Sequence, residues 1–474
     1  MEHTNNSAST HKFANAVLVQ SYQIRDFIIN IYDVNETTYY VTTPIFDFEK
    51  RPLLYTQLTS IIHANKERLG KRIYKFDELM DVVKSLCLWK IMEFKDLQAD
   101  AELISELFFF KLIKLHKLMP LFLDEMVDEI YLDSKYAFVY IDHQEYGRCL
   151  TDISLTREEI DALLTRLKLE HPISVSSANP SLKTEFKTRF FHLRISMDFP
   201  PLSPYGPSFN IRKLKHTPYT IYDLIRFGSI HPIAAAYLIM AIKARKNITI
   251  IGEPNSGKTT LANAIDLFTP SYWRKIAIED AIESINKTDY GYNQLLLQVD
   301  SFESDRKLYT KSKEILKLLH RSPDWIFLGE IQSKEHTQAM FEALTAGLKG
   351  IQTAHADSIQ NLIRRWKNRH IISETDLPSL EIVVVMKKDL QKQKIFRYVS
   401  EIYEVTSDKF SEDLSFLTKI YDNTWNENDM LKVIQNKSFL RYQFGMLLSL
   451  KNQLSENQSI TFDNIHSLMK GVYK

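Results

Sequence analysis

The nonapeptide Gly252-Glu253-Pro254-Asn255-Ser256-Gly257-Lys258-Thr259-Thr260 matches the phosphate-binding pattern G-x-x-x-x-G-K-[ST], which few folds can carry. The β-branched run Asn247-Ile248-Thr249-Ile250-Ile251 before it suits a buried strand, and Leu261-Ala262-Asn263-Ala264-Ile265 after it suits a helix. Strand, loop and helix in that order let successive main-chain N–H groups and the helix N-terminus surround phosphate oxygens. In such a loop Lys258 reaches the β- and γ-phosphates of a nucleoside triphosphate, and the Thr259 hydroxyl binds Mg²⁺. The expected cradle therefore runs from Gly252 to Thr260, and its glycines let the backbone come close to the ligand.

A chain of 474 residues is long enough for two or three domains, and 44% hydrophobic with 25% charged residues is ordinary globular composition. Lys plus Arg (60) nearly balance Asp plus Glu (59), so charge gives no reason to expect direct nucleic-acid binding. The two cysteines, Cys87 and Cys149, form no C-x-x-C pair, which argues against a disulfide framework or a cysteine zinc site. Met1 to Ser7 is polar and lacks the layout of a secretory signal, so a cytoplasmic location is expected. The longest apolar run, Ile233 to Ile242, is about half of the ~20 residues that span a bilayer and reads as a buried helix. Of the 12 glycines, six lie between Gly252 and Gly350, which concentrates special backbone positions in one region.

Along the chain, residues 1 to about 15 are polar and expected to be mobile, and Phe46 to Leu123 carries helix-type patterns such as Phe76 to Val83. Phe108 to Leu123 reads as an amphipathic helix packed on a neighbour and broken by Pro120. Ile130 to Asp133 and Ala137 to Ile141 read as strands and Thr156 to Lys168 as a helix. The Pro-rich stretch Pro200 to Pro207 is a loop leading into a strand over Ser208 to Arg212. The expected organisation is a mainly helical region over 1–120, a mixed α/β domain over 121–215, a linker near 213–220, an α/β domain over 220–405 with a parallel, doubly wound sheet, and a helical tail over 406–474.

A phosphate loop needs a second strand ending in a carboxylate near the metal and the attacking water. Trp325-Ile326-Phe327-Leu328 is apolar and ends at Gly329-Glu330, which makes Glu330 the candidate. Ile276-Ala277-Ile278 runs into Glu279, Asp280 and Glu283, a clustering that is costly unless solvated or bound to a cation. A third short strand, Gly350 to Ala354, ends at His355, which can contact a γ-phosphate or sense its loss. Taken singly, each has a plainer account: an exposed carboxylate after a strand, an acidic loop cap, a structural histidine.

Together, in this order and spacing, the four elements resemble the secretion ATPase superfamily: the type II secretion, type IV pilus and archaellum motors and their VirB11-like relatives. The resemblance covers roughly Ile130 to Val405, with Walker A at Gly252 to Thr259, the Asp box at Glu279 to Glu283, Walker B at Trp325 to Glu330 and the His box at Thr353 to His355. Glu129 to Leu132, Glu145 to Cys149, Phe209 to Lys213 and Tyr219 to Gly228 look like the N-terminal domain of the archaeal branch. The resemblance implies a RecA-like P-loop motor domain behind a mixed α+β N-terminal domain that is itself preceded by helices. It implies that Glu283 is the general base, that Glu279 lies on the magnesium side, that Glu330 supports the metal, and that Arg212 reaches the nucleotide, with Arg189 and Arg194 weaker matches.

It further implies ATP hydrolysis to ADP and phosphate with Mg²⁺, a hexameric ring of copies, and a polytopic membrane platform protein as partner at the inner face of the cytoplasmic membrane. Assembly or retraction of a pilus-like filament, or protein secretion, would be the work done. Two departures bear on this. Gln332 stands where relatives carry arginine, so a fixed positive fork is missing, and Ala281 stands where many have proline. The first favours a slow or partner-dependent ATPase and keeps open an ATP-binding interaction subunit; a nucleic-acid translocase or conjugation motor of the same superfamily is the third reading.

Overall fold

The computed structural model describes residues 16–134, 136–171, 173, 175–214, 219–300, 309–391, 394–406 and 416–456. Residues 1–15, expected to be mobile, and much of the tail beyond 406 lie outside this set. Contacts divide the chain near residue 216 into two compact units.

The first unit is built on a nine-stranded sheet of order β1-β2-β3-β6-β5-β4-β9-β8-β7. Its strands are β1 (Val17–Ile24), β2 (Phe27–Val34), β3 (Thr37–Pro44), β4 (Val127–Leu132), β5 (Phe138–His143), β6 (Gly147–Ser154), β7 (Ser181–Lys187), β8 (His192–Asp198) and β9 (Ser208–Leu214). Neighbours run antiparallel except β3 and β6, which pair in parallel over Tyr39↔Leu150 and Tyr40↔Thr151. Three helices pack with this sheet: α1 (Pro52–Ala64), α2 (Phe76–Met92) and α3 (Ala101–Leu112). In α2 the buried residues Phe76, Met80, Val83, Cys87 and Ile91 recur every three or four positions and form one apolar stripe. Phe76 meets Phe109 of α3 and Phe186 of β7 edge-on, at centroid distances of 5.3 and 5.5 Å.

Three differences from the sequence reading have structural causes. Strands β1 to β3 precede the helices in the region read as mainly helical. Tyr22 of β1 and Tyr40 of β3 each donate to Asp124 Oδ2 at 2.7 Å, and Tyr22 also contacts His143 Nε2 at 3.1 Å, which latches the meander to the start of β4. The break after α3 falls at Lys114, whose φ of 58° is left-handed; Pro120 does not break a helix but sits in the first turn of the next one, Met119–Leu123, where its missing N–H costs nothing. Finally, β9 runs on to Leu214, so part of the expected linker is strand, and residues 215–218 are not described.

The helix expected from Thr156 forms as α4 (Arg157–Glu170), started by a capping box in which Thr156 and Glu159 exchange main-chain bonds.

The second unit holds an eight-stranded sheet of order β12-β11-β13-β14-β10-β15-β16-β17. Its strands are β10 (Ile248–Gly252), β11 (Lys275–Glu279), β12 (Gln294–Gln298), β13 (Trp325–Ile331), β14 (Gly350–His355), β15 (Ile382–Gln391), β16 (Lys394–Val405) and β17 (Leu417–Asp422). From β12 to β15 every pairing is parallel. The intervening helices are α5 (Pro232–Lys243), α6 (Lys258–Asp266), α7 (Lys311–Lys317), α8 (Lys334–Thr345) and α9 (Ile359–Asn368).

Alternation along the strands feeds two cores. Ile248, Ile250, Ile382 and Val384 pack with α5 and with Leu261 and Ile265 of α6, whereas Ile251, Val383 and Val385 pack with Met340 of α8 and Trp366 of α9. Helices therefore cover both faces, as the pattern of buried strands requires. The apolar run Ile233 to Ile242 is buried along its whole length within α5. Beyond Val405 the tail opens with β17, antiparallel to β16, before the helices α10 (Glu427–Lys437) and α11 (Phe444–Glu456). Among the described residues no helix is long and apolar enough to cross a membrane.

Candidate active site

Parallel strands deliver their C-terminal ends to one edge, and in an open α/β sheet that edge is where ligands bind. Register decides which residues meet there. Gly252 at the end of β10 lies opposite His355 at the end of β14, and Ile278 of β11 lies opposite Leu328 of β13. The phosphate-loop pattern, the Asp-box acids, Glu330 and His355 are thus gathered by topology from four separate segments between Gly252 and His355.

The loop itself is shaped by its special backbone positions. Gly257, at φ 88°, and Asn255, at φ 61°, are left-handed, and Gly257 is the N-cap of α6. A Cβ on Gly252 would stand 2.4 Å from Ser256 Oγ and 2.6 Å from the Met386 carbonyl oxygen, so the loop closes against β15 only because that position is glycine. Ser256 is fully buried beneath the loop, and Glu253 and Pro254 are exposed at its crown. Two cations from the β15–β16 segment brace it: Lys388 Nζ donates to the Pro254 carbonyl at 2.9 Å, and Arg397 donates to the Asn255 carbonyl at 2.9 Å. Sequence reading missed both, since nothing near Lys388 or Arg397 marks them and only the strand order brings them to the loop.

Lys258 is 7% exposed. Its ammonium donates to the Gly252 carbonyl at 3.1 Å, to the Glu253 carbonyl at 2.8 Å and to His355 Nδ1 at 3.1 Å. The other ring nitrogen, Nε2, lies against the Glu330 carboxylate. Because an ammonium can only donate, Nδ1 accepts and Nε2 carries the proton toward Glu330. Burial raises the Glu330 carboxyl, but contacts from His355, Gln332 and Lys258 outweigh it and hold the group below its ordinary range. Thr259 and Thr260 are half-buried in the first turn of α6.

Glu330 is aimed by a bulge. The pairing of β13 with β14 shifts register between Leu328 and Ile331, so Gly329 and Glu330 together oppose Thr353. Gly329 also lets β13 approach Glu279, whose Cγ would sit 3.0 Å from an added Cβ.

The Asp-box acids divide. The Glu279 carboxylate, 1% exposed, accepts from the main-chain N–H groups of Ser284 at 3.1 Å and Glu283 at 3.3 Å and from the Ser284 hydroxyl, so it closes its own loop. Burial raises this carboxyl, and those bonds offset it only in part. Glu283 is half-buried, and its carbonyl accepts from Asn263 Nδ2 of α6 at 2.7 Å, which ties the Asp-box loop to the helix that follows the phosphate loop.

Among the described residues no three His, Cys, Asp or Glu groups form a metal cluster. The donors present at this edge, the Thr259 hydroxyl and the Glu330 carboxylate, are hard oxygens. That set fits Mg²⁺, which uses one or two protein oxygens and takes the rest from phosphates and water.

The candidate arginines belong to the first unit. Arg212 on β9 is opposite Glu129 of β4, with Nε 4.0 Å from Oε1, and its side chain is 43% exposed. Arg189 is ion-paired with Asp81, and Arg194 on β8 stands opposite Glu185 of β7.

The family model for type II/IV secretion system proteins matches residues 111–400. An uncharacterized protein of Methanocaldococcus jannaschii is 27% identical over 392 residues, 78% of this chain and 70% of that one. The type IV secretion system protein VirB11 of Bartonella quintana is 34% identical over 159 residues, 33% of this chain and 42% of VirB11. Among solved structures, the Yersinia pseudotuberculosis ATPase DotB aligns with a TM-score of 0.48 at 17% identity, over 76% of this chain and 93% of DotB.

Proposed function

The chain belongs to the type II/IV secretion system protein family, and we propose that it is an ATP-hydrolysing motor whose second unit is a RecA-like P-loop domain. The observation that carries this reading is the contact chain Lys258, His355, Glu330 at the C-terminal edge of a parallel sheet, with a glycine loop and a helix N-terminus beside it. The reaction is hydrolysis of ATP by water to ADP and phosphate.

The loop from Gly252 to Thr260 binds the phosphates through main-chain N–H groups, and Lys258 exchanges its carbonyl partners for phosphate oxygens. The half-buried Glu283 takes the proton of the attacking water, and Glu279 holds the turn that carries Glu283. Thr259 and Glu330 would hold Mg²⁺, with Glu279 behind them, and the ion would supply positive charge for the phosphates. His355 holds Lys258 and Glu330 in a fixed relation and registers departure of the γ-phosphate through Lys258.

Work is done by a conformational change coupled to hydrolysis within a hexameric ring, docked on a polytopic membrane platform at the inner face of the cytoplasmic membrane. The output is assembly or retraction of a pilus-like filament, or secretion. The similarity to relatives such as the type IV secretion system protein VirB11 supports the family-level part of this reading.

Phosphate release by the purified chain, beside Lys258→Ala and Glu330→Gln, tests it. Turnover well above both variants supports a motor; equal background turnover in all three refutes it. A second reading, an ATP-binding subunit that hydrolyses slowly, is favoured by Gln332, which bonds Glu330 but brings no charge. ATP binding without turnover supports that reading.

A further inference from the structure

One buried cation joins the Asp-box loop to the bulge that aims Glu330. Lys311, the first residue of α7, is 2% exposed. Its ammonium lies 3.1 Å from Asp280 Oδ1 and donates to the Glu330 main-chain carbonyl at 3.0 Å. Neither placement is favourable by default. Burying an ammonium is costly, and the first turn of a helix is the positive end of its dipole. Both costs are met by these two oxygens.

The carbonyl it takes is a special one. The shift between Leu328 and Ile331 removes Gly329 and Glu330 from regular pairing with β14, and the last pair of β13 with β11 is Leu328 with Ile278. The Glu330 carbonyl therefore falls where the ladder with β11 has ended and the ladder with β14 is interrupted, and Lys311 supplies its donor. On the same peptide the Glu330 side chain turns to His355. Asp280, next in sequence to Glu279, is held below its usual range because Lys311 outweighs the effect of burial.

We propose that Lys311 is a positioning residue: its cation pins Asp280 to the Glu330 carbonyl and so sets the spacing between the loop that carries Glu283 and the strand that carries Glu330. This rests on reading the edge as an ATP-hydrolysing site. Loss of the pin leaves the phosphate loop intact, since neither of its oxygens belongs to Gly252–Thr260. The effect falls on the chemical step, where a misplacement of about 1 Å can cost about a hundredfold.

Steady-state kinetics of the full chain, with binding of a fluorescent ATP analogue, test this on Lys311→Met, Lys311→Arg and the pair Lys311→Met/Asp280→Asn. The last removes both charges, so it keeps the test available if Lys311→Met alone leaves Asp280 unpaired and fails to fold. The expected result is a kcat lowered about 10- to 100-fold in the methionine variants, with KM and analogue affinity within about threefold and part of kcat restored by arginine. A folded double variant with kcat within about twofold of the unaltered chain overturns the proposal, as does a change confined to KM. If the unaltered chain turns over no more ATP than Lys258→Ala, the reading of the site itself fails; activity that is robust yet indifferent to Lys311 sinks the positioning role alone.

Discussion

His355 Nδ1 lies 3.1 Å from the Lys258 ammonium while its Nε2 faces the Glu330 carboxylate, so one imidazole spans the lysine after β10 and the glutamate of β13. A ring in this position fixes both neighbours at once: it gives Lys258 an acceptor and gives Glu330 a donor. The arrangement depends on register, because a one-residue slip of β14 against β10 would turn His355 to the other face.

Replacing His355 with alanine removes that span but leaves Lys258 its two carbonyl partners. Turnover should fall by about 10²-fold, in the range seen when one preorganised donor is lost, with nucleotide affinity changed by less than about threefold. Phosphate release and analogue titration measure the two quantities separately. Equal losses in both would mean the ring serves binding instead.

Gly252→Ala introduces a methyl where Ser256 Oγ and the Met386 carbonyl already stand 2.4 and 2.6 Å away. The main-chain oxygen cannot give, so the loop must shift. We expect a cost of about 1–3 kcal/mol in a denaturant titration and loss of ATP-analogue binding. Unchanged affinity would show that the loop tolerates the shift.

Asp266 at the end of α6 is fully buried between Lys275 and Lys287 and also accepts from Trp325 Nε1 at 3.1 Å. Burial raises its carboxyl, but the two lysines outweigh that and hold it below its usual range. Asp266→Asn takes the anion from the buried Lys275 ammonium and from Lys287 and should cost about 3–5 kcal/mol. Burial, against the pull of Asp266, pushes Lys287 down to about 7. An unfolded lysine titrates near ~10.4, so between these values the unfolded chain binds the extra proton and stability rises with pH. Urea midpoints at pH 7 and pH 9 should show the rise, and Lys287→Met should flatten it; a rise of the same size in that variant would exclude Lys287 as its source.

Cys87 and Cys149 are both fully buried, and burial pushes each thiol up to about 12. At pH 8 roughly one in ten thousand of each is thiolate. A thiol reagent should label neither in the native chain and both after denaturation. Rapid labelling of either in buffer would contradict the packing of α2 or β6.

The loop from Gly252 to Thr260 was legible because its strand-to-helix turn demands glycine at set positions, a local demand that the sequence must meet. The strand ends at Glu330 and His355 were legible for a related reason, each being an apolar run that stops at a polar residue. What joins them was not. Lys311, Lys388 and Arg397 look like ordinary surface cations in sequence, and they reach the site only because β13 lies between β11 and β14 and β15 lies beside β10. Glu279 was read for its charge; that it also closes a turn, through its bonds to Ser284 above Gly329, left no mark in the sequence. In the first unit, β1 was hidden because Val17, Leu18 and Val19 are all exposed, which breaks the alternation that announces a half-buried strand.

The latch between Tyr22 and Asp124 spans 102 positions, and β3 finds its parallel neighbour only at Leu150 and Thr151. A ribosome releases the first three strands long before either partner exists. An early meander of this kind has one apolar face, Phe27, Ile29 and Ile31, and no sheet or helix to cover it, so it is marginal by itself. Its burial waits on long-range closure, the slowest class of contact to form. Nascent chains that have emerged only to before residue 124 should therefore depend on a holding chaperone, and those that have emerged past residue 154 should not.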